Sequence, residues 1–123
     1  MINNNMGLHL TLDLCNCNLK KLTNVSLIYD FLLDLPKAIG MQTITLPYVV
    51  KWLDKDTTMT GVSGFTMIAE SHISIHTFPE KKGIYADVFS CRNFHINRTI
   101  GLFIKTFEST KYEKNVVKRG FLD

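Results

Sequence analysis

Glu70-Ser71-His72 interrupts two apolar runs, Phe65 to Ala69 before it and Ile73 to Ile75 after it. That interruption constrains the fold more than any other feature of the chain. The two runs read as consecutive strands, so the triplet stands at or near their join. Gly, Pro or Asn would be ordinary turn chemistry at such a join, and none of them is present. Polar, chemically capable side chains set between buried strands break local consistency, and such breaks tend to mark functional sites. The stretch from Gly61 to Glu80 is therefore the one around which the remaining elements are arranged.

Gly7 to Leu14 alternates, with Leu8, Leu10, Leu12 and Leu14 on one face and His9, Thr11 and Asp13 on the other, which predicts a strand with one buried face. From Asn24 to Ile39, Ile28, Phe31, Leu32, Leu35 and Ile39 recur at helical spacing, and Gly40 suits the stop. Pro36 predicts a kink or an end one turn early. Met41 to Val50 is β-branched and aromatic, a second strand that Pro47 assigns to an edge or a bulge. Lys51 to Thr60 reads as a flexible polar loop. Val62 to Glu70, His72 to Phe78 and about Ile84 to Cys91 read as further strands. Ile96, Ile100, Phe103, Ile104 and Phe107 then mark a second amphipathic helix with Asn97 as N-cap, and Tyr112 to Arg119 is a weak last strand. The predicted fold class is α+β: a two-layer α/β sandwich in the order β-α-β-β-β-α-β, an antiparallel sheet with two helices on one face. Phe65 and Met67 point to one side of their strand and Ile68 to the other. Two helices cover one face only, so the second face is expected to be buried in a dimer.

A chain of 123 residues is one domain, and 46% apolar with 20% charged residues is ordinary for a soluble globular protein. The net charge of +3 is spread along the chain, with only Lys111 to Arg119 approaching a basic cluster, so no nucleic-acid partner is expected. No run reaches the roughly 18 apolar residues that span a bilayer, so no membrane partner is expected either. Met1 to Met6 lacks the basic and apolar regions of a signal peptide. Three cysteines without framework spacing suit a reducing cytoplasm. Cys15 and Cys17 read as semi-buried structural thiols, since no second ligand pair stands at a plausible spacing for a metal. A zinc pair of His72 and His76 fails on geometry, because four residues along a strand span about 13 Å. No metal is expected.

Gly61-Val62-Ser63-Gly64, Ala69-Glu70-Ser71-His72, Ile75-His76-Thr77, Pro79-Glu80 and Asp87-Val88-Phe89 with Cys91 carry a further reading. With their spacings they resemble the processing and active-site region of the small prokaryotic S-adenosylmethionine decarboxylase proenzymes, and the likeness runs from Gly7 to about Arg119. The resemblance implies self-cleavage. The Ser71 hydroxyl attacks the Glu70 carbonyl carbon, β-elimination splits the ester, and residue 71 becomes a pyruvoyl group as ammonia is lost. The single domain 1–123 would become a β chain 1–70 and an α chain 71–123. The pyruvoyl group, self-derived from Ser71, is then the cofactor, and its Schiff base with the substrate amine is an electron sink.

The resemblance also implies the roles of the neighbours. His76 removes the Ser71 α-proton during processing, and Ser63 assists the acyl shift. Cys91 returns a proton to the substrate, a role suited to a thiol titrating near about 8.5 when unperturbed. Glu80 binds the substrate ribose, and Phe78, where the family commonly has tryptophan, stacks on adenine. Thr57 stands where the family often has a second aromatic, and Trp52 is a substitute by position alone. The implied substrate is S-adenosylmethionine, the product the aminopropyl donor for spermidine, and the assembly a homodimer with sites drawn from both subunits. Three other readings stay open: a pyruvoyl-dependent arginine or ornithine decarboxylase, a non-catalytic regulatory paralogue, and a plain α/β binding module.

Overall fold

The computed structural model describes residues 7–56 and 58–120. Six antiparallel strands form one sheet: β1 (Gly7–Cys15), β2 (Tyr48–Leu53), β3 (Thr60–Ile68), β4 (Ser71–Phe78), β5 (Gly83–Ser90) and β6 (Lys111–Arg119). They lie in the order β2-β3-β4-β5-β1-β6. Among the described residues the helices are α1 (Leu19–Leu22), α2 (Val25–Ala38) and α3 (Ile96–Phe107), with a 3-10 turn at Pro79–Lys81.

The α+β class, the antiparallel sheet and its two main helices are as the sequence predicts. Four strands separate α2 from α3, as the segment-by-segment reading places them, so the order β-α-β-β-β-α-β is one strand short.

Alternation explains the layers. Leu10, Leu12, Leu14, Val62, Ile68, Ile73, Ile75, Ile84, Ala86 and Val88 point to one face, where Ile28, Phe31, Leu32 and Leu35 of α2 and Ile100, Phe103 and Phe107 of α3 close the core. Phe31 ties the two helices together, its ring 4.8 Å from Phe103 and 5.3 Å from Phe107. Gly64 lets α2 approach β3, since a Cβ there would sit 2.8 Å from Leu32 Cδ1. Thr77, fully buried, donates to the Leu22 carbonyl at 2.8 Å and accepts from the Val62 N–H at 2.9 Å, joining β4, α1 and β3.

The element ends show where local signals were overruled. Asn24 caps α2, accepting from the Leu27 N–H at 3.0 Å. Pro36 sits in the last turn and the helix runs two residues past it. Gly40, at φ +80°, then closes the helix, with Gly40 N–H on the Lys37 carbonyl (3.2 Å) and Met41 N–H on the Pro36 carbonyl (2.8 Å). The cap of α3 is His95, which accepts from the Arg98 N–H at 3.0 Å; Asn97 lies inside the first turn. β2 starts only at Tyr48, after buried Pro47, and runs on to Leu53. Pairing with β3 from Tyr48↔Phe65 to Leu53↔Thr60 draws Lys51 to Leu53 out of the expected loop and into an edge strand.

Cys15 is exposed and Cys17 buried, and burial pushes the Cys17 thiol up to about 11. β6 is the other edge, exposed throughout, and Lys111, Lys114, Lys118 and Arg119 blunt it. The sheet face away from the helices carries Phe65 (46% exposed), Met67 (47%) and Tyr85 (54%) beside a row of histidines and serines. No helix covers that face among the described residues.

Candidate active site

β3 ends at Ile68 and β4 begins at Ser71, which leaves Ala69-Glu70 as an exposed two-residue join. Ser71 pairs with Ile68 on one side and Ser90 on the other, so it sits where the ends of β3 and β5 flank the start of β4. Its hydroxyl donates to the Glu70 carbonyl oxygen and accepts from the Cys91 N–H at 3.0 Å. Cys91 reaches it because β5 stops at Ser90 and the chain bends there. Glu70, Ser71 and Cys91 thus come together around one peptide bond. A cavity of about 260 Å³ adjoins them, lined among others by Ala69, Ser90, Arg92 and Asn93.

A second group forms on the open face. Ser63 and His76 are cross-strand partners, with His76 Nδ1 2.9 Å from Ser63 Oγ. They line a depression of about 440 Å³ with Tyr48, Phe65, His72 and Ser74. Phe78 ends β4 with its ring 6.4 Å from Trp52 and 5.1 Å from Tyr85, and half-buried Glu80 follows in the 3-10 turn. Trp52, placed by sequence position alone, is therefore a neighbour of Phe78. Thr57 lies outside the described residues.

One chain does not unite the two groups. His76 lies five positions after Ser71 in β4, about 16 Å along a strand. Alternation also puts Ser71 on the helix side with Ile73 and Ile75, and His76 on the open side with Ser74.

A third constellation had no sequence assignment. His9 Nε2 lies 2.7 Å and His72 Nε2 3.1 Å from the same oxygen, Asp87 Oδ2, and the Ser74 hydroxyl donates to Oδ1. These ligand-type atoms lie within 4.8 Å of one another, and both imidazole nitrogens are at hydrogen-bonding distance from the carboxylate. Burial works to raise the Asp87 pKa, and the hydrogen bonds from Ser74, His9 and His72 outweigh it and hold it below the usual range. Outward alternation of His9 and of Asp87 was the available signal; that the two strands are neighbours was not.

The family profile described as S-adenosylmethionine decarboxylase matches residues 8–120. A protein of Clostridium botulinum (strain Langeland / NCTC 10281 / Type F), named S-adenosylmethionine decarboxylase proenzyme, is 33% identical over 120 residues, covering 95% of this chain and 97% of its own. A protein of the same name from Prochlorococcus marinus (strain MIT 9211) is 31% identical over 115 residues, covering 93% and 89%. The crystal structure of the adenosylmethionine decarboxylase from Aquifex aeolicus VF5 superposes with a TM-score of 0.78 at 25% identity, over 98% of this chain and 95% of that one. With the match spanning nearly the whole chain, the chain belongs to the S-adenosylmethionine decarboxylase family.

Proposed function

We propose that the chain cuts itself between Glu70 and Ser71, carries a pyruvoyl group at residue 71, and decarboxylates S-adenosylmethionine in a homodimer whose sites each draw on both protomers. The observation that carries this is the Ser71 hydroxyl, which donates to the Glu70 carbonyl oxygen while its own Oγ accepts from the Cys91 N–H. Attack of Oγ on the carbonyl carbon transfers the acyl group from nitrogen to oxygen, and the freed nitrogen takes up a proton. Removal of the Ser71 α-proton then expels Glu70 as a carboxylate. The unsaturated residue left behind takes up water and releases ammonia.

Residue 71 fits the group so formed, since it stands at an open strand end beside a cavity rather than in the core. The pyruvoyl carbonyl supplies an acceptor for the electron pair released with carbon dioxide. Cys91, which follows the Ser90 that pairs with residue 71, returns a proton to the substrate α-carbon. His76, oriented by Ser63, is the base of the elimination step, but its own Ser71 lies about 16 Å away. A second copy therefore supplies it, and the uncovered face bearing Phe65, Met67 and Tyr85 is the surface on which that copy packs. Glu80 takes the ribose hydroxyls, and Phe78 offers the adenine a ring face. The product is the aminopropyl donor for spermidine, made in the cytoplasm. Three free thiols suit that compartment.

Intact mass tests the proposal. Purified protein should consist of fragments spanning 1–70 and 71–123, the second blocked to Edman sequencing, and Ser71→Ala should stay whole and inactive. An active preparation made of uncut chains overturns it.

A further inference from the structure

The maturation proposed above would strip residue 71 of the groups that now hold it. Its Oγ leaves as part of the Glu70 carboxylate, and with it goes the acceptor of the Cys91 N–H. Its nitrogen leaves as ammonia, and with it goes its backbone N–H. What stays is a short acyl group hanging from residue 72. His72 is thus the first residue of the new chain with a complete backbone and a side chain.

That side chain is tied down. Among the described residues its hydrogen bond is to Asp87 Oδ2 at 3.1 Å, and the same oxygen binds His9 Nε2 at 2.7 Å. Ser74 holds the other carboxylate oxygen. His72 is on β4, Asp87 on β5 and His9 on β1, three neighbouring strands stitched side chain to side chain on the open face. Phe89 pairs with both His9 and His72, and its ring lies 5.4 Å and 5.7 Å from their imidazoles, which walls the clasp from one side.

We infer that the His9–Asp87–His72 clasp is a positioning device that holds the first residue of the α chain in place once its bond to Glu70 is gone. The inference rests on the self-cleavage proposed above. In the uncut chain the covalent join to β3 fixes the start of β4, and the clasp adds little. In the cut chain it is the side-chain tie nearest the reacting carbonyl. The assigned role therefore shows itself only after cleavage, which a merely structural role would not.

Amide hydrogen exchange of the peptide that begins at residue 72 tests this in two backgrounds. Asp87→Asn in the matured protein should exchange faster there than the matured parent, on the order of ten- to a hundredfold for loss of a hydrogen bond to a charged group. Asp87→Asn combined with the uncut Ser71→Ala should differ little from Ser71→Ala alone. The matured variant should also lose kcat more than KM. Should Asp87→Asn fail to mature, His9→Gln, one strand further away, serves the same comparison. Unchanged exchange in the matured variant, or an equal rise in both backgrounds, overturns the clasp. So does a stoichiometric divalent metal held by the parent and lost in the variant. A parent that stays whole by intact mass overturns the self-cleavage itself, and the clasp with it.

Discussion

At Asp87, burial alone would favour a neutral carboxyl, yet three donated hydrogen bonds keep it ionised. Its pKa is lower in the folded chain than in the unfolded one. It therefore contributes stability that is fully present above the unfolded value of about 3.9 and is lost as pH falls through the folded value. Urea midpoints followed downward from about pH 6 should fall more steeply for the parent than for Asp87→Asn, and parallel curves would contradict this. Single residues were unevenly legible. Ser71, Ser63, His76 and Cys91 stood out because a motif with fixed spacings carries them. His9 and Asp87 lie 78 positions apart in sequence and meet only through the β1–β5 register, which no local pattern encodes.

Alternation in β1 and the helical stripes of α2 and α3 were readable because each element buries one face and its sequence records which. The position of β2 was not, since its second half, Lys51 to Leu53, joins the sheet by pairing with β3. The capping of α3 by His95 was hidden for a related reason: Asn97 is the better cap by type, and where the chain turns into the helix decides. Among the elements, Thr77 holds the most exacting contact, one buried hydroxyl satisfying groups of two others. Thr77→Val leaves the Val62 N–H and the Leu22 carbonyl without that partner, at roughly 1–3 kcal/mol for each group. Chemical denaturation should show the loss, and Thr77→Ser should recover most of it. A Val variant as stable as the parent would mean that water replaces the hydroxyl.

For the molecule as a whole, the separation of Ser71 from His76 makes the assembly testable by complementation. Ser71→Ala and His76→Ala chains should each fail to mature alone. Co-expressed, they should form a mixed dimer in which one site has both defects and the other has neither. The His76→Ala chain should then be cut and activity should appear, up to one intact site per mixed dimer. No cleavage in the mixture would place both residues of a site on the same chain and remove the dimer from the mechanism. The strand order β2-β3-β4-β5-β1-β6 has a further consequence for the cut protein. A break at Glu70 assigns β1, β2 and β3 to one fragment and β4, β5 and β6 to the other, yet β1 lies between β5 and β6, and β3 lies against β4. The fragments are interleaved like the fingers of two hands, and parting them means opening three ladders at once. Each fragment of a chain cut there would keep the partner it was synthesised with. Isotope-labelled and unlabelled mature protein, mixed and left without denaturant, should never yield an αβ unit of mixed parentage.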